Sequence, residues 1–124
     1  MASAVSPLQI ARALTEHWSP RIIGEVDDAY IKVAKVHGTF GWHAHVDEDE
    51  LFFVLEGHLR IEIEAGEAVE LAAGEMFIVP KGVRHNPVAA RPCLVLLIER
   101  KSTLHSGDVI NEHTRSLDDQ LRPV

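Results

Sequence analysis

The chain has 124 residues and a formal net charge of −7 at pH 7. This length predicts one domain that is large enough to bury a core, and the acidic balance argues against binding to nucleic acid or to an anionic membrane surface. We see no secretory signal and no apolar stretch that approaches the roughly 20 residues of a membrane helix, and Cys93 is the only cysteine. We therefore expect a cytoplasmic protein without an intramolecular disulfide.

The first predicted element is a short N-terminal helix. Ser6 and Pro7 are typical of a helix start, apolar residues follow at helical spacing, and Trp18-Ser19-Pro20 ends the segment. Residues 21–26 and 29–37 then predict two strands that flank a turn.

Short strands and turn residues fill the rest of the chain up to Lys101. Residues 39–45 and 50–55 predict two further strands, followed by a hairpin turn at Glu56-Gly57-His58 and a second turn at residues 65–67. The remaining predicted strands are residues 59–64, 68–71, 76–79, 86–89 and 93–99. This many short strands is typical of a β-sandwich or barrel, and the polar residues 101–124 predict an ordered wrap or a frayed end.

Three histidines and a glutamate have a spacing that indicates a metal site. His43, His45 and Glu50 lie in the run WHAHVDEDELFFVLEG, and His85 ends the run GEMFIVPKGVRH. On a strand, His43 and His45 point to the same face with side chains roughly 7 Å apart, which is close enough to share one ion. Imidazole nitrogens and a carboxylate oxygen suit Fe, Mn, Ni, Co, Cu or Zn.

These two runs resemble the paired motifs of the cupin family, and the short spacing between them resembles compact single-domain bacterial cupins. The resemblance implies an all-β double-stranded β-helix, or jelly-roll barrel, with the short helix in front. It also implies that His43, His45, Glu50 and His85 bind one divalent transition metal. We expect a single cupin domain over residues 1–124, with the barrel core at about 21–100 and a tail at 101–124.

The sequence departs from the family motifs at two positions. Gly38 lies one residue closer to His43 than the first motif requires. Ala89 replaces the final asparagine of the second motif, although Asn86 directly follows His85. Neither difference involves one of the four metal-ligand candidates, so we expect it to alter the shape of the neighbouring loops only.

Other residues are assigned from their position on predicted strands or turns. Phe52 and Val54 share the face of Glu50 by alternation, and His37 ends a strand near the expected barrel mouth, so these three are candidate substrate-lining residues. Cys93 is expected to be a small core residue. The four remaining histidines are expected to be solvated: His17, His58, His105 and His113.

The resemblance leaves two kinds of function open, because cupins include both enzymes and non-catalytic proteins. We favour a metal-dependent enzyme acting on a small oxygenated metabolite, of the dioxygenase, isomerase or lyase type, with its catalytic residues beyond the metal unassigned. The alternative is a sensor that binds a small ligand. We also expect a homodimer, because Leu51, Phe53 and Leu55 form a second apolar face that either residues 8–18 or another subunit must cover.

Overall fold

A short helix begins the part of the chain that the structure, a computed structural model, describes, which is residues 3–124. Helix α1 spans Pro7–Arg12, and the Ser6 side chain caps it by accepting a hydrogen bond from the Gln9 amide at 3.2 Å. Ala11, at the buried face of α1, packs with Leu94 on the outside of the sheet. The predicted N-terminal helix is therefore confirmed.

Seven antiparallel strands follow in the described chain. They are β1 (Arg21–Val26), β2 (Ala29–Thr39), β3 (Glu50–Glu56), β4 (His58–Ile63), β5 (Val69–Ala72), β6 (Met76–Val79) and β7 (His85–Arg100). The hydrogen-bonded order is β1-β2-β7-β3-β6, and β4 joins by pairing with β5 and β7. The result is the predicted all-β jelly-roll barrel.

The long strand β7 joins the two parts of the barrel. Its first residues pair with β4, its later residues pair with β3, and β2 runs beside both parts. Val36 pairs with Cys93 and Gly38 pairs with Ala89, so the three exposed residues 90–92 bulge opposite His37 alone. This bulge explains why the sequence predicts two strands where the structure has one.

Two predictions in the middle of the chain are wrong. Residues 40–49 form a loop with one isolated bridge, from His43 to His85, where the sequence predicts a strand up to residue 45. Within residues 3–124, β3 and β4 also do not pair, so Gly57 does not turn a hairpin. Gly57 has a φ of +93° and crosses over β7, where a Cβ would lie 3.2 Å from the Pro92 carbonyl oxygen.

The strands bury one face inside the barrel and leave the other outside. Phe52, Val54 and Val95 belong to the interior cluster of apolar side chains. Cys93 is 1% exposed in the same cluster, which confirms it as a core residue, and burial raises the pKa of its thiol to about 11. On the outside, α1 covers the end of β3 around Leu55.

The tail, residues 101–124, folds back over the barrel as an ordered wrap. Helix α2 (Leu117–Gln120) lies near its end, and the Gln120 side chain is buried and accepts a hydrogen bond from the ammonium of Lys32 on β2. His105 and Ser106 are also buried. Of the two helices in residues 3–124, neither has the length and apolar character needed to cross a membrane.

Candidate metal centre

The four metal-ligand candidates come together at one end of the barrel. His43 and His45 lie on the loop 40–49, Glu50 begins β3 and His85 begins β7. All four side chains are buried, and their potential ligand atoms lie within 4.8 Å of one another. Two backbone hydrogen bonds fix the loop to β7, because the His43 and His85 amides each donate to the other residue's carbonyl at 3.0 and 2.9 Å.

Backbone carbonyls fix the ring orientation of two of the histidines. The Nδ1–H of His43 donates to the Gly41 carbonyl at 3.0 Å, and the Nδ1–H of His85 donates to the Val83 carbonyl at 2.9 Å. Each bond leaves Nε2 as the nitrogen with a free lone pair, which is the usual arrangement of metal-bound imidazoles. The Nε2 atom of His85 is fully buried and has no hydrogen-bond partner among residues 3–124.

Glu50 lies between two of these rings. Its Oε1 atom is 3.1 Å from Nε2 of His45 and 3.4 Å from Nε2 of His85. Burial alone would raise the pKa of the Glu50 carboxyl, but the two imidazoles beside it hold that pKa well below its usual value. Glu50 is therefore an ionised carboxylate, which is the form that binds a metal.

The electrostatic environments of His43 and His45 differ. Burial, followed by repulsion from His85, lowers the pKa of His43 to about 4, so its imidazole is neutral near pH 7. Burial also lowers the pKa of His45, but the Glu50 carboxylate outweighs this effect and the pKa rises to about 8. In the metal-free protein, a proton therefore competes with a metal ion at His45.

A buried ion pair that was not predicted from the sequence lies beside the centre. Lys32 Nζ is 2.8 Å from Glu99 Oε1, and the two side chains are 3% and 1% exposed. Glu99 pairs with Glu50 across β7 and β3. Burial and then the nearby Glu50 raise the pKa of Glu99 to about 7, against the opposing effect of Lys32. Its burial could have been predicted from alternation along the strand. Lys32 and the interior residue Ala34 are two residues apart, so their side chains point to the same face.

A small cavity of about 40 Å³ opens beside the centre. Its wall includes His43, Glu50 and Phe52, and otherwise consists of these residues: Trp18, Pro20, Ala34, Val36, Phe40, Leu59, Pro87, Val95, Leu97 and His105. Of the three candidate lining residues, Phe52 therefore lies on the cavity. Val54 is fully buried in the core cluster, and His37 is exposed outside the barrel.

His105 lies on the cavity wall although the sequence suggested a solvated tail histidine. It is 8% exposed, and its Nε2–H donates to the His113 carbonyl at 2.6 Å. Burial lowers the pKa of His105 to about 4, so the ring is neutral near pH 7 and its Nδ1 atom is a hydrogen-bond acceptor. No periodic pattern precedes it in the tail, which explains why its burial could not be predicted from the sequence.

The chain is similar to known proteins over most of its barrel. Residues 30–99 match the family described as the cupin domain (Cupin_2). The uncharacterized protein YdbB of Bacillus subtilis is 35% identical over 101 residues, which cover 82% of this chain and 89% of YdbB. The solved structure of a cupin-2 domain containing protein from Shewanella frigidimarina is 44% identical, with a TM-score of 0.70, and the match covers 73% of this chain and 87% of that one.

A more distant relative has a named activity. The 3-hydroxyanthranilate 3,4-dioxygenase of Xanthomonas campestris is 35% identical over 68 residues, which cover 52% of this chain but only 39% of the dioxygenase. The match to the family covers more than half of this chain, and it includes all four residues that converge at the metal centre. The chain belongs to the cupin family.

Proposed function

We propose that this cupin is a metal-dependent enzyme, of the dioxygenase type, that acts on a small oxygenated molecule. In this proposal His43, His45 and His85 bind one divalent transition metal through Nε2, and Glu50 binds it through a carboxylate oxygen. The observation that carries the proposal is the buried Nε2 of His85, which lacks a partner within residues 3–124 and lies 3.4 Å from Glu50. A bound metal would satisfy that lone pair.

The donor set fits a catalytic metal better than a structural one. Three imidazoles and one carboxylate match Fe, Mn, Ni, Co, Cu or Zn, and an octahedral ion held by four such ligands keeps positions open for small molecules. A metal bound there would supply Lewis acidity and, if it is iron, activation of dioxygen. The adjacent cavity gives a substrate access to His43 and Glu50.

The cavity also indicates the character of the substrate. Its wall is mostly aromatic and aliphatic, and no Lys or Arg of the described chain contributes to it. A substrate would therefore be small, largely apolar and not multiply charged, with an oxygen that faces the metal centre. His105 Nδ1 would accept a hydrogen bond from a substrate hydroxyl and so orient that oxygen.

The dioxygenase type is favoured over isomerase or lyase by the distant relative with that activity, whose match spans 39% of its own length. A sensor that binds a small ligand is the second candidate. The apolar wall favours the sensor, because the cavity offers few acid–base groups. Among the described residues that line it, His105 is the only titratable one besides His43 and Glu50. In either case we propose that residues 1–124 act as one cupin domain.

Elemental analysis and oxygen uptake test this proposal together. Protein purified without added metal should contain about one equivalent of transition metal, and iron would support the dioxygenase assignment. The iron form should then consume dioxygen with small phenolic or enolic compounds, whereas Glu50→Ala should not. Manganese, nickel or zinc without oxygen uptake would indicate an isomerase or lyase. Metal with ligand binding but no turnover would indicate the sensor.

The raised pKa of His45 predicts that metal affinity increases with pH. Below its pKa of about 8, His45 is protonated in the metal-free protein and must lose that proton to bind a metal, whereas His43 is already neutral. Metal binding at pH 7 should therefore release the proton of His45. Isothermal titration calorimetry in buffers of different ionisation enthalpy measures the number of protons released. Affinity that stays constant between about pH 5 and pH 8 would contradict the ligation of His45.

We also propose that the chain forms a homodimer through an outer patch on the sheet. The patch comprises Leu51 and Phe53 on β3, Met76 and Ile78 on β6, and Ile98 on β7. Register places Leu51 beside Ile78 and Ile98, and Phe53 beside Met76. Met76 and Ile78 are 58% and 46% exposed. Because α1 covers only the Leu55 end of this face, a second copy would bury the rest.

Light scattering at micromolar concentration tests the dimer. We expect a mass of twice the single-chain 13.8 kDa, and we expect Ile78→Lys to shift the protein to the monomer because it places a charge in the patch. Ile110→Lys, at a residue that is 84% exposed in the tail, is the matched control and should leave the mass unchanged. A monomeric wild type would contradict the proposed dimer, and the patch would then be in contact with solvent.

A further inference from the structure

The loop that carries two of the metal-ligand candidates lacks a partner strand on one side. His43 is bonded to His85, and the His45 carbonyl accepts a hydrogen bond from the Gly82 amide at 2.8 Å. Ala44 lies between them, and its own amide and carbonyl point away from these bonds because successive residues of an extended chain alternate. Ala44 is buried, so its backbone groups need partners from another part of the chain.

The tail provides both partners through one residue. The Ala44 amide donates to the Asp108 side-chain oxygen Oδ1 at 2.9 Å, and the Asp108 amide donates to the Ala44 carbonyl at 2.9 Å. This pair of bonds, which we name the Asp108 bracket, takes the place of the missing partner strand. The bond from the Ala44 amide also lowers the pKa of the Asp108 carboxyl, so the acceptor is ionised near pH 7.

The residue before Asp108 shows how closely the tail approaches the loop. Gly107 has a φ of +66°, and a Cβ at this position would lie 2.3 Å from the Ala44 carbonyl oxygen and 3.0 Å from Cδ2 of His43. A side chain would therefore force the Ala44 backbone or the His43 ring to move. The tail contacts the metal-ligand segment as closely as a neighbouring strand would.

We propose that Asp108 and Gly107 are positioning residues of the metal centre, which hold the Ala44 backbone so that His43 and His45 keep the separation that one metal ion requires. This inference depends on the proposed metal-binding function and extends it to the tail, which lies outside the matched residues 30–99. The tail is then part of the metal site, although it supplies no ligand.

Metal affinity of Asp108 variants tests this inference. Asp108→Ala removes the acceptor for the Ala44 amide and should weaken Zn²⁺ or Co²⁺ binding by about 10-fold or more, as loss of groups that orient metal ligands commonly does. Asp108→Asn keeps an amide oxygen at the same place and should restore most of the affinity. Asp47→Ala is the matched control, because it removes another exposed carboxylate that lines the same surface pocket as Asp108.

Chelator competition gives the dissociation constants, and the visible spectrum of the Co²⁺ form reports the ligand geometry. We expect the Co²⁺ spectrum of Asp108→Ala to change and the melting temperature of its metal-free form to fall by a few degrees, because the buried Ala44 amide loses its acceptor, whereas Asp108→Asn should melt close to the wild type. If Asp108→Ala does not fold, Asp108→Glu replaces it, because this variant keeps the charge but displaces the acceptor, and it should weaken binding as well.

The outcomes separate this inference from the proposed function. A wild type that binds no Zn²⁺ or Co²⁺ would overturn the proposed function itself. A wild type that binds, with Asp108→Ala and Asp108→Glu both equal to it in affinity and spectrum, would overturn the positioning role alone. Equal losses in Asp108→Asn, Asp108→Ala and Asp47→Ala would show that charge matters and not the bracket, and would also overturn it.

Discussion

Simultaneous replacement of His43 and His45 with alanine should reduce bound metal from about one equivalent to background. The double variant removes two of the four converging ligand candidates and leaves only Glu50 and His85, which cannot complete the coordination shell of a transition metal. Elemental analysis after desalting measures the change. The interior apolar cluster is untouched by these substitutions, so the metal-free variant should still fold cooperatively.

The matched control is the double variant of His17 and His58, which are exposed histidines away from the centre. It removes the same number of imidazoles and should keep a full equivalent of metal. Retention of a full equivalent by the His43 and His45 variant would show that the metal binds elsewhere, and the assignment of the centre would then be wrong.

Replacement of Lys32 with methionine should cause a large loss of stability. The substitution leaves Glu99 buried without its counter-charge, and breaking a buried pair in this way costs about 3–5 kcal/mol. Urea denaturation of the metal-free variant at pH 8 measures the free energy of unfolding. The loss should be smaller at pH 5, because protonation of Glu99, whose pKa is already raised to about 7, removes the uncompensated charge.

Two further variants isolate the contribution of the charge pair. Lys35→Met changes a lysine on the same strand whose side chain points to the opposite face of the sheet from that of Lys32. It should have little effect, because β2 turns this side chain outwards. The double variant Lys32→Met with Glu99→Met removes both charges and should recover most of the lost stability. If the double variant is as unstable as Lys32→Met alone, the loss comes from packing and not from the unpaired carboxylate.

The residues that converge at the centre could be predicted because their signal is local. His43 and His45 are two residues apart, and both side chains reach the centre even though residues 40–49 form a loop and not a strand. Long-range pairing could not be predicted in the same way. Gly57 looks like a hairpin glycine in the sequence, but the adjoining strands both pair with β7, and nothing near Gly57 encodes that choice.

The individual contacts of the tail could not be predicted, although an ordered wrap was one of the two predicted arrangements. Its residues lack the alternation of a strand and the period of a helix, so His105 looked like a solvated position and Asp108 was assigned no role. Their roles depend on contacts with residues more than 60 positions earlier, such as the bond from Ala44 to Asp108. Lys32 differs, because alternation along β2 already placed it inside the barrel, and only a general expectation that lysines are exposed hid it.

Anomalous diffraction from crystals of the metal-loaded protein would test the central claim most directly. The account predicts one anomalous peak at bonding distance, about 2.0–2.2 Å, from Nε2 of His43, His45 and His85 and from a Glu50 carboxylate oxygen. The peak should border the cavity, since His43 and Glu50 line it. A peak at any other group of side chains, or no peak in protein that carries a full equivalent of metal in solution, would contradict the account.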